Sequence, residues 1–330
     1  MSMAMRTPQW WYRKDAQGAP WWRFALWPLS LLWLSVNAIK AMTACPYRSR
    51  LKVISVGNVT LGGSGKTPIV AELLRLLGGT SAGLSRGYGG AVSGPIRVDC
   101  ERDSAADVGD EPLMLAADHE FWISRDRAAG LRAIEASKAT TVVVDDAHQN
   151  VKIAKDVHIL VVDGDTSNGA WPFGDGGICP NGPMREPLRD GLARADIVVV
   201  WLPDDRPAAP DLLRLLAATP VFLARLVAEA PYVASPVVGY AGIAKPWKFA
   251  DTLKRLGVEL EDFHAFPDHV SPSEANLADM CARGQVITTQ KDWVRLSPAW
   301  RDKVVCLPIR ARFDDEVGLL RAINPADRRA

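Results

Sequence analysis

Residues 57–70 read GNVTLGGSGKTPIV, between the apolar run LKVISV (51–56) and the helical pattern PIVAELLRLL (68–77). A glycine-rich stretch that leaves a strand and opens a helix is either a tight turn or an anion cradle. The window Thr60-Leu61-Gly62-Gly63-Ser64-Gly65-Lys66-Thr67 departs from the pattern G-x-x-x-x-G-K-[ST] at its first position, where Thr60 replaces glycine. Gly62, Gly63 and Gly65 let successive backbone N–H groups turn toward one anion without interference from a Cβ. Lys66 reaches β- and γ-phosphates, and the Thr67 hydroxyl suits Mg²⁺. Pro68 falls in the first helical turn, where its missing N–H costs nothing, and the helix N-terminus adds positive potential. The stretch is read as an ATP-binding loop over residues 60–67.

The rest of the chain alternates short β-branched runs with helical patterns. Strands are expected at 51–56, 141–146, 158–165, 196–202, 235–240, 285–289 and 303–308. Helices are expected at 68–77, 110–118, 126–137, 210–219, 245–257 and 271–284. Continuous Val/Ile runs indicate strands buried on both faces, and the alternation predicts a doubly wound sheet. The expected fold is α/β and P-loop NTPase-like, with a mainly parallel sheet and a second, smaller α/β lobe. The expected division is 1–50 as a Trp-rich apolar segment, 51–220 as the nucleotide-binding core, and 221–330 as the C-terminal lobe. Residues 165–187, rich in Gly and Pro, read as a long functional loop. Asp145 and Asp146 follow Val-Val-Val and emerge at the carboxyl end of a strand, on the rim where such sheets bind ligands. They are candidate magnesium ligands, together with Thr67.

The 330 residues carry a net charge of +1, which gives no overall argument for nucleic acid. Arg6, Arg13, Lys14, Arg23, Lys40, Arg48 and Arg50 face only Asp15 in the first fifty residues, a local excess of +6. Six of the twelve tryptophans lie there too, at 10, 11, 21, 22, 27 and 33. Between Arg23 and Lys40 run sixteen uncharged residues, FALWPLSLLWLSVNAI. As a helix this reaches about 24 Å, short of a hydrocarbon core of about 30 Å. Tryptophans and cations around a short apolar helix suit the membrane interface, so residues 10–42 are expected to lie on a membrane surface. Competing readings are a helix packed on the core, a signal peptide ahead of Pro46, and a single span. The five cysteines are scattered with no Cys-x-x-Cys, which fits a reduced compartment without structural zinc.

Further stretches occur in order along the chain: LSRGYGG (84–90), GDEPLMLA (109–116), SRDR (124–127), DDAHQN (145–150), PNGPMREPL (180–188), AGIAKPWKF (241–249), FPDH (266–269) and TTQKDWVRL (288–296). With the phosphate loop, this set resembles the tetraacyldisaccharide 4′-kinase family. The resemblance implies transfer of the ATP γ-phosphate to the 4′-hydroxyl of an acylated disaccharide 1-phosphate, giving lipid IVA in lipid A biosynthesis. It implies ATP and Mg²⁺ as cofactors, and a peripheral enzyme on the cytoplasmic face of the bacterial inner membrane. Asp110 and His269 match the family's cooperating pair, with Lys66 as the third catalytic residue and Glu111 assisting magnesium. Helix capping by Asp110 and Glu111, and a plain loop histidine, are the structural alternatives. Arg185, Gln149 and Arg86 are candidate substrate contacts. For Arg185, Arg86 and also Arg127, a structural salt bridge competes.

One motif departs from the family. Its usual Asp-Asp-Gly-Phe-Gln-His is Asp145-Asp146-Ala147-His148-Gln149-Asn150 here. If a positive φ is required at the glycine, Ala147 costs on the order of 1 kcal/mol. The usual histidine is absent, or its role has passed to His148. Val270 stands where a histidine or aromatic is usual after FPDH. Two other classes therefore stay open: a P-loop regulatory or metal-delivery NTPase, and a divergent relative that binds without turnover.

Overall fold

The computed structural model describes residues 8–15, 17–203, 205–228 and 233–324. The strands are β1 (Lys52–Gly57), β2 (Ser81–Ser85), β3 (Ile96–Arg97), β4 (Phe121–Ile123), β5 (Thr141–Asp145), β6 (Val157–Asp163), β7 (Ile197–Pro203), β8 (Val221–Ala228), β9 (Val237–Ala241), β10 (Leu260–Ala265), β11 (Gln285–Thr289), β12 (Val304–Leu307) and β13 (Ile309–Phe313). Nine form one sheet in the order β13-β8-β7-β6-β1-β5-β2-β4-β3, and four form a second in the order β10-β9-β11-β12. All neighbours are parallel except β3 with β4 and β13 with β8. This is the expected mainly parallel α/β architecture with a smaller second lobe.

The hydrophobic runs are buried as their composition dictates. Helix Lys66–Leu77 lays Ile69, Val70, Leu73 and Leu74 against Ile54, Val56, Ile159 and Val199 of the large sheet. Helix Arg127–Ile134 covers the opposite face through Leu131 and Ile134. In the small lobe, helix Pro246–Arg255 packs Phe249 and Leu253 on one side of the sheet, and helix Glu274–Arg283 packs Leu277 and Met280 on the other. The phosphate-loop strand β1 thus sits in the middle of a sheet covered on both faces, which makes its carboxyl end a rigid platform.

The sheets do not divide at residue 220. β8 continues the large sheet beside β7, and β13 returns to pair antiparallel with β8. Leu319 and Ile323 of the last described helix, Glu316–Ile323, pack beneath the phosphate-loop helix. Residues 309–323 therefore belong with the large sheet. Six strands went unforeseen. β2 reads SAGLS, without a β-branched residue, and β3 and β4 hold only two and three residues.

The segment Trp21–Thr43 has the length and apolar character of a membrane-crossing helix and is almost wholly unburied. Its first two turns are 3₁₀ (Trp21–Leu26), followed by an α-helix over Trp27–Thr43. Trp21, Phe24, Leu32, Ile39 and Met42 face outward, with 60% or more of each exposed. A helix packed on the core is thereby excluded. One polar edge docks it on the 175–185 loop. Ser30 Oγ donates to the Ile178 carbonyl at 2.8 Å, Trp33 Nε1 donates to the Arg185 carbonyl at 2.8 Å, and buried Arg23 pairs with Asp175.

Candidate active site

The phosphate loop leaves β1 through buried Asn58 and enters helix Lys66–Leu77 at Gly65. Gly65 has φ +78°, and a Cβ there would lie 2.5 Å from the Trp201 ring, so only glycine fits. Gly62 also has a positive φ, +92°. Lys66 Nζ stands 3.2 Å from Asn58 Oδ1 and 3.4 Å from Asp146 Oδ1. Thr67 lies in the first turn of the helix. Three buried polar atoms around this loop lack a hydrogen-bond partner: Asn58 Nδ2, Ser64 Oγ and Asp145 Oδ1. Buried polar groups are almost always bonded, so such a cluster marks a place built for a ligand.

β5 delivers Asp145 and Asp146 beside the loop, and the two carboxylates differ sharply. Burial and the nearby Glu111 charge push Asp145 up to about 7, against the pull of Lys66. Burial would raise Asp146 too, but Lys66 and Arg185 outweigh it and hold that carboxyl down to about 2. Arg185 Nη1 donates to Asp146 Oδ1 at 2.9 Å. Asp146 has φ +50°, a left-handed conformation rare outside glycine and typical of strained functional positions. Among the described residues no three His, Cys, Asp or Glu side chains converge as a protein-only metal cage. A magnesium ion carried on nucleotide phosphates needs only one or two carboxylates, and the unpartnered Asp145 oxygen fits that demand.

The Asp110–His269 pair spans the two lobes. Asp110 opens helix Asp110–Ala116 on the large lobe, and His269 follows β10 on the small one. Asp110 Oδ2 lies 3.2 Å from His269 Nδ1. Lys291 Nζ lies 3.4 Å from His269 Nε2. A proton on Nδ1, donated to Asp110, leaves the Nε2 lone pair toward the Lys291 ammonium and suits both contacts; Arg295 Nη2, 3.5 Å from Nδ1, is instead bonded to Asp110 Oδ2. Burial would raise Asp110, but His269, Lys291 and Arg295 hold it well below the usual carboxylate range. Buried Arg295 grips Asp110 Oδ2 through Nε at 2.9 Å and Asp292 Oδ1 through Nη1 at 2.9 Å. Lys291 also reaches Glu111 and Asp268, at 3.4 Å each. His269 is the second non-glycine residue with a positive φ, +62°, and the Tyr88 ring lies 5.3 Å from its own.

The remaining candidates separate. Gln149 Nε2 donates to the Asn58 carbonyl at 2.7 Å and to Glu186 Oε1 at 2.8 Å, and Arg185 reaches Gln149 Oε1 at 3.4 Å, so both stand at the Asp146 rim. Arg86 is exposed at the end of β2. Arg127 is buried under β5, donating to the Ser124 and Asp145 carbonyls, a structural role. His148 has not taken over a catalytic role. It is 1% exposed, faces the Gly191 carbonyl at 3.1 Å, and is pushed down to about 3 by burial and the neighbouring cations. Ala147 has no positive φ, since the left-handed residue is Asp146, so the expected backbone cost of replacing glycine does not arise. Asn58, Lys291, Arg295 and Tyr88 carried no role of their own in the sequence, although all four lie inside the quoted stretches.

A parallel sheet with this loop at the end of its central strand, paired aspartates on the adjacent strand and orphaned polar atoms between them defines a P-loop nucleotide-binding protein. Residues 22–326 match the family described as LpxK, tetraacyldisaccharide-1-P 4′-kinase. The tetraacyldisaccharide 4′-kinase of Phenylobacterium zucineum is 50% identical over 323 residues, 96% of this chain and 98% of that protein. That of Rhodospirillum centenum is 41% identical, covering 97% and 96%. The crystal structure of LpxK from Aquifex aeolicus in complex with ATP superposes with a TM-score of 0.71 at 26% identity, covering 92% of this chain and 98% of that one. The chain belongs to the tetraacyldisaccharide 4′-kinase family.

Proposed function

We propose that the chain transfers the γ-phosphate of ATP to the 4′-hydroxyl of a tetraacyldisaccharide 1-phosphate, the step that yields lipid IVA in lipid A biosynthesis. The observation that carries this reading is the Asp110–His269 pair, whose neighbour Glu111 lies close enough to Asp145, beside the phosphate-loop lysine, to raise that carboxyl. Phosphoryl transfer asks a protein mainly for positioning and charge neutralisation. Residues 60–67 would cradle the phosphates, and Lys66 would move from Asp146 onto their charge. Asp145, Asp146 and the Thr67 hydroxyl would hold Mg²⁺, with Glu111 nearby; the ion, when bound, neutralises phosphate charge. His269 Nε2, freed from Lys291, would accept the proton of the sugar hydroxyl, while Asp110 fixes its tautomer and offsets the imidazolium that forms.

The substrate carries several acyl chains and stays in the bilayer, so the enzyme must come to it. The exposed apolar face of residues 21–43 supports a seat on the membrane, and the ATP-dependent reaction would place it at the cytoplasmic face of the inner membrane. Its docking on the 175–185 loop sets that seat beside Arg185. Arg185 is then placed to meet a substrate phosphate, either the lipid's or the nucleotide's. The ordinary backbone at Ala147 favours turnover over a binding-only relative.

Purified protein in detergent, with tetraacyldisaccharide 1-phosphate and labelled ATP, should incorporate phosphate into the lipid, and Lys66→Ala should abolish it. ATP hydrolysis stimulated by a protein partner, without transfer to the lipid, would refute the reading in favour of a regulatory NTPase.

A further inference from the structure

The match to the family model begins at residue 22, yet residues before it touch the phosphate loop. The Tyr12 hydroxyl donates to the Leu61 carbonyl at 3.3 Å. A Cβ on Gly62 would fall 2.5 Å from that hydroxyl oxygen, so glycine leaves the room that Tyr12 occupies. The arm is itself held in place. The Trp171 N–H donates to the Tyr12 carbonyl at 2.6 Å, Arg13 bridges Ala170, and the missing Cβ of Gly174 makes space for the Trp11 carbonyl. On the far side of the Tyr12 ring stands Lys245 of the small lobe, 4.4 Å from its centroid and 2.7 Å from buried Asp163 of β6. Tyr12 therefore sits where the arm, the phosphate loop and the small lobe meet. It also lines a cavity of about 270 Å³ with Asp165, Ser167, Lys245 and Trp247.

We infer that Tyr12 is a positioning residue for the phosphate loop, and that the arm before the membrane-seated helix is a strap that presets the anion cradle. The inference rests on residues 60–67 being the ATP site. A trans peptide points its C=O and N–H in opposite directions. Fixing the Leu61 carbonyl toward Tyr12 therefore turns the Gly62 N–H to the other side, into the cradle. The Leu61 N–H is tied separately to the Pro183 carbonyl at 2.8 Å, so both polar groups of Leu61 are anchored outside the cradle. Without Tyr12 the Leu61–Gly62 peptide is free to flip, as glycine allows. ATP would then have to order it on binding.

The test compares ATP affinity by isothermal titration for the full-length chain, Tyr12→Phe and Tyr12→Ala, with melting temperatures and steady-state constants alongside. Loss of one hydrogen bond predicts about a fivefold weaker ATP Kd for Tyr12→Phe. Tyr12→Ala, which also removes the ring beneath Lys245, should weaken it by about tenfold or more. The KM for ATP should rise in step, while kcat at saturation and the KM for the lipid stay within about twofold. ATP affinities within twofold of wild type in both variants would overturn the inference, as would a lowered melting temperature with unchanged affinity. Tyr12→Phe keeps the ring, so it reads the hydroxyl even if Tyr12→Ala folds poorly. Titration needs no phosphate transfer, so a failure here is separate from a failure of the kinase reading.

Discussion

His269 and Asp110 come from different lobes, and their joint action can be measured as a coupling. The perturbation is a cycle of His269→Ala, Asp110→Asn and the double variant. If His269 Nε2 takes the hydroxyl proton, its removal should lower kcat by 10²–10⁴-fold, about 3–5 kcal/mol of barrier. Asp110 touches Nδ1 and not the reacting oxygen, so it acts through the imidazole. Asparagine keeps the shape but loses the charge that offsets an imidazolium. Asp110→Asn alone should therefore lower kcat by about 10²-fold or more. In the double variant there is no imidazole left to orient, so its rate should lie within about threefold of His269→Ala. The coupling would then be about 2 kcal/mol or more, well above the additivity error of independent sites. Folding should survive, because Arg295 retains Asp292 as a partner at 2.9 Å when the Asp110 charge is removed. The assay is single-turnover transfer of labelled phosphate to the lipid disaccharide at saturating ATP, with a melting curve for each variant. Multiplicative losses in the double variant, or His269→Ala keeping more than a tenth of wild-type kcat, would refute the dyad.

Two further outcomes follow from burial and exposure. His148 is buried and its folded value is depressed to about 3, so the unfolded chain binds the extra proton; stability should be full above about pH 6.5 and fall as pH drops toward 3. His148→Phe should flatten that decline in pH-dependent melting curves, and an unchanged slope would mean His148 is not a source of it. Leu32 and Ile39 are each 60% exposed on the apolar helix. The pair Leu32→Asp and Ile39→Asp should abolish co-sedimentation with anionic vesicles while leaving ATP affinity unchanged, and retained vesicle binding would argue against this face as the membrane seat.

Legibility in the sequence followed the range of the physics. The phosphate loop is contiguous, and its residues do their work on one another, so its pattern and flanking periodicities announced it. Asp145 and Asp146 were visible for the same reason, a buried strand ending in charge. Asp110 and His269, 159 residues apart, carried no local signal, and only the resemblance to a family paired them. Arg295 stands 185 residues from Asp110, and nothing along the chain shows that two buried carboxylates share its guanidinium. His148 misled for a related reason. A histidine beside two aspartates suggests chemistry, but its place is set by Gly57, whose missing Cβ leaves it room, and by the Gly191 carbonyl that its Nε2 faces.

The departures from the family also change meaning once the backbone is known. A glycine-to-alanine change in the aspartate motif threatens the loop only if the strained residue is the one replaced. Here the strain falls on Asp146, one position earlier, where Lys66 and Arg185 hold the carboxylate. The cost of that left-handed backbone, of order 1–3 kcal/mol, is borne beside the phosphate loop. The same holds at His269, whose strained backbone is fixed by its N–H donating to the Gly242 carbonyl at 3.1 Å. Strain at these two positions, one on each lobe, is consistent with side chains aimed at a common ligand rather than relaxed for stability alone. His148 in place of the usual phenylalanine leaves both positions untouched, because its ring points down toward Gly191 and not into the cleft.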